Sequence, residues 1–229
     1  MRVIVLASGR GTNLQALIDA QSSGALPIAL VGVFSDRAGC GALERARLAG
    51  IPGQAFAARD FTVDGDCDRE AYDAALFDAV DAMQPDLVVC AGYLRMIGAT
   101  SVQRHAGRML NIHPSLLPKF RGLHTHVKAL SAGEREHGAS VHFVIPALDA
   151  GSVIAQVRVP VRANDSVATL AARVLQREHP LLVACVGLFA HGRIFLRGSD
   201  IFVDSRRLSR PLQLQADGTL DDASPEQTS

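Results

Sequence analysis

The amino-acid sequence predicts an α/β fold built on a doubly wound, mostly parallel sheet. Short apolar runs rich in β-branched residues cover residues 2–7, 28–34, 87–91 and 108–112. Segments with helical periodicity alternate with these runs, at residues 13–21, 43–49 and 70–83. The runs are apolar at consecutive positions, which is typical of strands that helices cover on both faces. The alternation itself indicates crossover connections within one sheet.

The second half of the sequence predicts a C-terminal antiparallel extension of this sheet. Residues 140–145 and 153–161 alternate between apolar and polar positions, and a loop rich in Pro, Gly and Asp separates them. A long helix follows, with Ser166 as a suitable N-cap. Pro180 lies inside this helix, so a kink or a break is expected near His179.

The length and composition predict one folded domain over residues 1–205. The chain has 229 residues, of which 48% are hydrophobic and 20% are charged, and this is a globular composition. No internal repeat or linker divides the sequence. Residues 206–229 are polar, and we expect them to form a flexible C-terminal tail.

The charge balance and the apolar runs exclude several classes of protein. The 23 Lys+Arg residues balance 23 Asp+Glu residues, which argues against a nucleic-acid partner. No apolar stretch reaches the roughly 18 residues of a membrane span. The four cysteines are irregularly spaced, so neither a disulfide framework nor a cysteine zinc site is predicted. We expect a cytoplasmic protein that acts on small molecules as a monomer or weak homodimer.

A glycine-rich turn after the first predicted strand is the first candidate functional segment. Residues 8–13 (SGRGTN) open the first predicted helix, whose free backbone N–H groups would suit a phosphate. Leu14 stands where the GxGxxG pattern needs glycine, and the Walker lysine is missing. The turn is therefore compatible with a phosphomonoester, although its glycines would equally permit a tight turn without any ligand.

Asn111, His113 and Asp149 are the candidate catalytic residues. Asn111 and His113 lie at the carboxyl end of a predicted strand, where α/β sheets bind ligands, and alternation places both on one side. A converging amide and imidazolium would form an oxyanion site or an acid/base pair. Asp149 lies in the loop between the last two predicted strands, where it would serve equally well as a turn former.

The pattern His124-Thr125-His126 leaves a metal site as an alternative. On a strand, an HxH pattern presents both imidazole rings to one side, and a nearby Asp or His would complete the ligand set. The segment instead resembles a loop that leads into a helix at residues 127–131, and no further ligand is assigned. We therefore predict no metal.

The chain closely resembles the folate-dependent formyltransferases. The resemblance rests on residues 111–118 (NIHPSLLP), residues 122–126 (GLHTH) and Asp149 downstream. Further matching segments lie at residues 8–15, 43–46, 69–73, 91–95 and 137–142. The likeness is strongest to the branch that formylates glycinamide ribonucleotide in de novo purine biosynthesis, a part of one-carbon metabolism. It implies a Rossmann-like formyltransferase fold over about residues 1–205 and 10-formyltetrahydrofolate as co-substrate.

The resemblance also implies a mechanism for the catalytic residues. Protonated His113 and the Asn111 amide would stabilise the oxygen of a tetrahedral intermediate, and His113 would then protonate the departing folate nitrogen. Asp149 would raise the pKa of His113, which keeps the imidazolium populated near pH 7, and would help relay the amine proton through water. No metal is implied.

The binding residues carry over in the same way. Gly11, Thr12 and Asn13 correspond to the phosphate cradle of the family, and Glu178 corresponds to its acceptor for the ribose hydroxyls. Arg69 would face the carboxylate tail of the folate. The residues expected to bind folate are Arg69, Leu94, Arg95, Met96, Ile97, Asn111, Ala147, Leu148 and Asp149.

Two departures from the family pattern leave rival assignments open. Arg121 replaces a proline of many relatives and resembles methionyl-tRNA formyltransferase, but we expect no room for that enzyme's additional RNA-binding domain. Leu175 replaces a polar residue of some relatives.

The nearest rival is 10-formyltetrahydrofolate hydrolase, which usually carries an N-terminal regulatory domain. More distant rivals are a metal-dependent hydrolase and a non-catalytic nucleotide-binding module. We expect residues 119–124 to be mobile until folate binds.

Overall fold

A nine-stranded sheet and six α-helices make up most of the described chain, residues 1–63 and 66–221, in this computed structural model. The strands are β1 (Arg2–Leu6), β2 (Ala29–Ser35), β3 (Gly53–Ala55), β4 (Thr62–Val63), β5 (Asp66–Cys67), β6 (Leu87–Cys90), β7 (Met109–His113), β8 (Glu136–Phe143), β9 (Val153–Pro160), β10 (Ile194–Arg197), β11 (Asp200–Val203), β12 (Arg206–Arg207), β13 (Leu212–Leu214) and β14 (Leu220–Asp221). The helices are α1 (Thr12–Ser22), α2 (Gly41–Leu48), α3 (Arg69–Ala82), α4 (Ala99–Arg104), α5 (Thr125–Ser131) and α6 (Val167–Ala190), with a 3-10 helix at Ala58–Phe61.

Five strands form a parallel core in the spatial order β3, β2, β1, β6 and β7. Next to β7, β8 and β9 pair in antiparallel fashion, and β13 and β14 continue the sheet beyond β9. β10, β11 and β12 form a separate small antiparallel sheet. The predicted doubly wound, mostly parallel sheet with a C-terminal antiparallel extension is therefore confirmed.

Side chains of β1 alternate between two hydrophobic clusters, one on each face of the sheet. Val3 and Val5 pack in the cluster that α1 and α6 share, whereas Ile4 and Leu6 pack in the cluster that includes the apolar face of α3. All four side chains are completely buried. Because successive residues of a strand point to opposite faces, a strand covered on both sides must be apolar at every position.

Helix α6 continues through Pro180, so the break considered near His179 is absent. Ser166 caps the helix as predicted and forms a capping box with Thr169. Proline removes one helical hydrogen bond and disfavours a helix interior by about 3 kcal/mol. Burial of the apolar α6 face, which includes Leu182, outweighs this cost. None of the described helices, α6 included, is long and apolar enough to cross a membrane.

The segment predicted to be a tail adds strands to the structure over residues 206–221. β13 pairs with β9, and Leu212 and Leu214 are buried on either side of half-exposed Gln213. The Arg177 guanidinium donates a hydrogen bond to the Gln215 carbonyl at 2.8 Å. The expectation of a flexible tail is therefore wrong for this stretch, because two alternating leucines suffice to bury a short strand in an otherwise polar sequence. Residues 222–229 lie outside the described residues.

Candidate active site

The candidate site lies at the carboxyl ends of the parallel strands, where the strand order changes direction between β1 and β6. The loop after β1 contacts the loop after β6 through the Ser8 N–H, which donates to the Gly92 carbonyl at 3.0 Å. The Leu94 N–H in turn donates to Ser8 Oγ at 2.9 Å. Crevices at such reversals are the usual ligand sites of open α/β sheets.

The glycine-rich turn presents the uncapped N-terminus of α1. Gly11 adopts φ 73° at the N-cap, and no side chain caps the first turn. A Cβ atom at Gly11 would lie 2.6 Å from the Cα atom of Ala42, so the close approach of the α2 segment requires glycine. The first-turn N–H groups, which begin at Thr12 and Asn13, therefore remain suited to an anion.

Asn13 and Glu178 form a buried polar pair between α1 and α6. The Asn13 amide donates to Glu178 Oε2 at 3.1 Å, and the two residues are 8% and 7% exposed. Burial raises the pKa of Glu178, and the hydrogen bond from Asn13 opposes this shift only in part. Asn13 Oδ1 is buried and has no hydrogen-bond partner among the residues that the structure describes. The pair thus offers unsatisfied hydrogen-bonding capacity to a polar ligand.

The structure brings Asn111, His113 and Asp149 together. The Asn111 Nδ2 atom lies 3.3 Å from Asp149 Oδ1, and His113 Nδ1 lies 3.4 Å from Asp149 Oδ2. β7 supplies the first two residues, and the β8–β9 loop supplies Asp149 in the left-handed conformation at φ 44°. One amide, one imidazole and one carboxylate therefore converge at the edge of the sheet.

Each ring nitrogen of His113 faces a different polar group, Nδ1 the Asp149 carboxylate and Nε2 the Phe120 carbonyl. Nε2 lies 3.0 Å from the Phe120 carbonyl oxygen, and only an N–H can donate to a carbonyl, so Nε2 carries a proton. Burial lowers the pKa of His113, while the Phe120 carbonyl and the Asp149 charge act to raise it. Asp149 therefore favours the imidazolium form of His113, as expected. Burial favours the neutral ring more strongly, so the pKa of His113 is lowered overall.

Asp149 is a carboxylate at neutral pH. Burial acts to raise its pKa, but the contact with His142, the hydrogen bond from the Gly122 N–H and the charge of His113 lower the pKa to about 2. The Gly122 N–H donates to Asp149 Oδ2 at 2.9 Å. This loop contact and the Phe120 carbonyl mean that residues 120–122 touch both members of the His113–Asp149 pair.

A cavity of about 620 Å³ borders all three residues, and an adjoining cavity of about 90 Å³ borders Asn111 and Asp149. The larger cavity extends from Asn111 and His113 to Asn13 and Glu178. The predicted folate residues that line one or both cavities are Leu94, Arg95, Met96, Ile97, Asn111, Ala147, Leu148 and Asp149. Arg69 and Gly11 lie outside both linings, and Thr12 borders a separate surface pocket.

Sequence reasoning gave no role to His142 or to the backbone of residues 120–122. His142 Nδ1 donates to the Phe143 carbonyl at 2.8 Å, and its Nε2 lies 3.1 Å from Asn111 Nδ2 and 3.6 Å from Asp149 Oδ1. The available signal was a histidine between the apolar residues Val141 and Phe143, and the β7–β8 register places it opposite Asn111. The backbone contacts leave no signal in side-chain identity.

The HxH pattern does not place two rings on one side of a strand. His124 is the exposed N-cap of α5, whereas His126 Nδ1 lies 3.1 Å from His137 Nε2 on β8. Within the described residues, no group of three or more His, Cys, Asp or Glu side chains is arranged to hold a metal ion.

Sequence comparison identifies the class of protein. Residues 1–186 match the formyl transferase family model, and the chain belongs to that family. It is 46% identical over 208 residues to the phosphoribosylglycinamide formyltransferase of Escherichia coli strain K12, covering 91% of this chain and 96% of the relative. The structure superimposes on phosphoribosylglycinamide formyltransferase from Coxiella burnetii with a TM-score of 0.86 and 41% identity, over 91% of this chain and 96% of that one.

A formyltetrahydrofolate deformylase has a similar structure at lower identity. The enzyme from Pseudomonas syringae pv. tomato superimposes with a TM-score of 0.80 and 25% identity. The match covers 88% of this chain but 65% of the deformylase. The fold of this chain is thus similar to that of a formyltetrahydrofolate deformylase.

Proposed function

We propose that the protein transfers a formyl group from 10-formyltetrahydrofolate to the amine of glycinamide ribonucleotide, a step of de novo purine biosynthesis. The observation that carries this proposal is the convergence of Asn111, His113 and Asp149 on a cavity whose other end contains Asn13 and Glu178. The identities of 46% and 41% to two phosphoribosylglycinamide formyltransferases support this choice of substrates.

The geometry suggests how the three residues act. The substrate amine attacks the formyl carbon, and the oxygen of the tetrahedral intermediate gains negative charge. The Asn111 N–H stabilises this charge together with the Nδ1–H of protonated His113, the form of the ring that burial makes less populated. Because the Phe120 carbonyl holds the Nε2 proton, Nδ1 is the nitrogen that protonates the departing folate nitrogen. The amine loses one proton, which Asp149 relays through water to His113 Nδ1, so the proton that His113 gives to the folate nitrogen is replaced.

The two substrates would occupy opposite ends of the cavities. Gly11, Thr12 and Asn13 would hold the phosphate of the ribonucleotide, and Glu178 would accept its ribose hydroxyls. The smaller cavity, between residues 93–97 and residues 144–149, would receive the pterin of the folate. Arg69, exposed at the start of α3, would contact the folate tail from outside the cavities.

An assay of amine dependence tests the proposed reaction. Purified protein receives formylfolate with and without glycinamide ribonucleotide, and deformylated folate and formylated ribonucleotide are both quantified. We expect turnover only with the amine and equal amounts of the two products. Turnover without the amine would instead assign the hydrolase activity that the deformylase similarity suggests.

We further propose a cytoplasmic enzyme with small-molecule substrates, in the form of a monomer or weak homodimer that binds neither nucleic acid nor membranes. The balanced formal charge supports this proposal, because a zero net charge offers no basic field for polyanions. Light scattering over a dilution series would measure the oligomeric state, and a stable tetramer would contradict the expectation.

A further inference from the structure

We propose that Ser140 and Gln156 are positioning residues for His113, which hold the segment at residues 115–120 so that its backbone fixes the orientation of the catalytic ring. They belong to a buried polar cluster behind the active site, between β8, β9 and this segment. The inference rests on the proposed function, since it assigns His113 a reactive nitrogen.

The Ser140 hydroxyl uses its complete hydrogen-bonding capacity within the cluster. It donates to the Ser115 carbonyl at 2.7 Å and accepts from the Leu117 N–H and from Gln156 Nε2, each at 3.0 Å. A hydroxyl has one donor and two acceptor sites, so this arrangement saturates it. Ser140 is completely buried and pairs with His113 in the β7–β8 register, which places the hydroxyl cluster directly beside the catalytic residue's backbone.

Gln156 joins the same segment from the next strand. Its Nε2 group has two protons, and one is donated to the Leu117 carbonyl at 2.8 Å while the other reaches Ser140 Oγ. The side chain is 5% exposed, so both contacts are shielded from water. Ser140 and Gln156 together satisfy both backbone polar groups of Leu117, the residue at the centre of the segment.

The restraint extends from Leu117 to the catalytic ring. Ser115 Oγ donates to the Lys119 carbonyl at 2.6 Å, which closes the segment into a turn. The next residue, Phe120, adopts φ 56° and points its carbonyl oxygen at His113 Nε2, 3.0 Å away. An anchored Phe120 carbonyl keeps the proton on Nε2 and leaves Nδ1 to face Asp149 and the substrate.

Loss of this anchor has a defined electrostatic consequence for His113. The Phe120 carbonyl acts to raise the pKa of His113, so a displaced carbonyl lowers the pKa further. The other titratable or charged groups that act on the ring, or that the ring acts on, are Asp149, His142, Lys128, His126 and His137. Substitution of Gln156 changes none of these groups.

The variant Gln156→Met tests the inference because it retains side-chain length and removes both N–H donors. Gln213→Met is the matched control, since Gln213 pairs with Gln156 in the β9–β13 register but donates to the Pro211 carbonyl. We expect Gln156→Met to lower kcat about 10- to 100-fold with both KM values nearly unchanged. The alkaline limb of its kcat profile moves to lower pH, because the protonated form of His113 is lost earlier.

Nitrogen-15 NMR of the ligand-free protein provides a readout that is independent of turnover. We expect the His113 Nε2–H signal to weaken in Gln156→Met and the His113 titration to move to lower pH, with Gln213→Met unchanged in both. If Gln156→Met does not fold, Ser140→Ala is measured by the same readouts. An unchanged His113 titration and an unchanged kcat would overturn the positioning role, whereas absence of formyl transfer in the wild-type protein would overturn the proposed function alone.

Discussion

At the scale of single residues, the convergence of the candidate catalytic side chains was predictable but their protonation was not. Asn111, His113 and Asp149 stand in a recognisable sequence pattern, and the structure places the Asn111 amide 3.3 Å and the His113 ring 3.4 Å from the Asp149 carboxylate. The balance between burial and charge at His113 depends on the complete packing around the ring, which sequence spacing does not contain. For the same reason, the roles of His142 and the Phe120 carbonyl emerge only from the fold.

The substitution Asp149→Asn removes the charge that opposes the effect of burial on His113. We expect kcat to fall by about 100-fold or more, because the pKa of His113 drops further and the amine proton loses its acceptor. Steady-state kinetics measure the loss, and thermal unfolding should stay cooperative. Asp204→Asn is the control, since the Asp204 carboxylate pairs only with Arg193 among the partners described and borders neither active-site cavity. Near-normal turnover of Asp149→Asn would contradict the mechanism.

At the scale of elements, long periodic segments were predicted well and short ones were missed. α3 and α6 carry strong apolar faces, and each begins within a few residues of its predicted start. β3 and β13 have three residues each, which is too short for a hydrophobic period to stand out. β13 needed the tertiary context of β9 to become a strand, because its two leucines are buried only against the completed sheet.

Helix α5 contacts β8 through the side chains of His126 and His137. We expect this contact to make the packing of α5 on β8 sensitive to acid. Burial lowers the pKa of His137 from 6.5 to about 4, so the unfolded chain binds more protons between these values. The contribution of the buried, neutral His137 ring to the free energy of unfolding is complete above pH 6.5 and is lost as the pH falls toward 4. Between pH 6.5 and pH 4, we expect the free energy of unfolding to fall by about 2 kcal/mol more in the wild-type protein than in His137→Gln.

Urea denaturation at several pH values measures the difference for His137. His191→Gln is the control variant, because His191 is an exposed histidine at the end of α6. The His191→Gln variant should retain the loss of stability that we attribute to His137. Equal pH dependence of His137→Gln and wild-type protein would show that His137 does not cause the acid sensitivity.

At the scale of the whole molecule, the two cavities adjoin, so the two proposed substrates would lie next to each other. Cys90 lines the smaller cavity but is not an activated nucleophile, because burial raises the pKa of its thiol to about 12. Direct transfer within a ternary complex is therefore expected. Initial-rate plots should intersect, mass spectrometry should detect no formylated protein, and Cys90→Ala should keep sequential kinetics. Parallel plots with a formyl-protein adduct would indicate a covalent route.

The hydrogen bond between Asn13 and Glu178 also bears on how the protein is synthesised. The two residues are 165 positions apart, so the end of the cavity where we propose that the ribonucleotide binds is incomplete until most of the chain has left the ribosome. At about 5–20 residues per second, roughly 8 to 33 s separate their synthesis. A nascent chain that has already formed the glycine-rich turn still lacks its acidic partner during this interval. The substrate therefore binds the finished domain and stabilises it by mass action, without assisting its early folding.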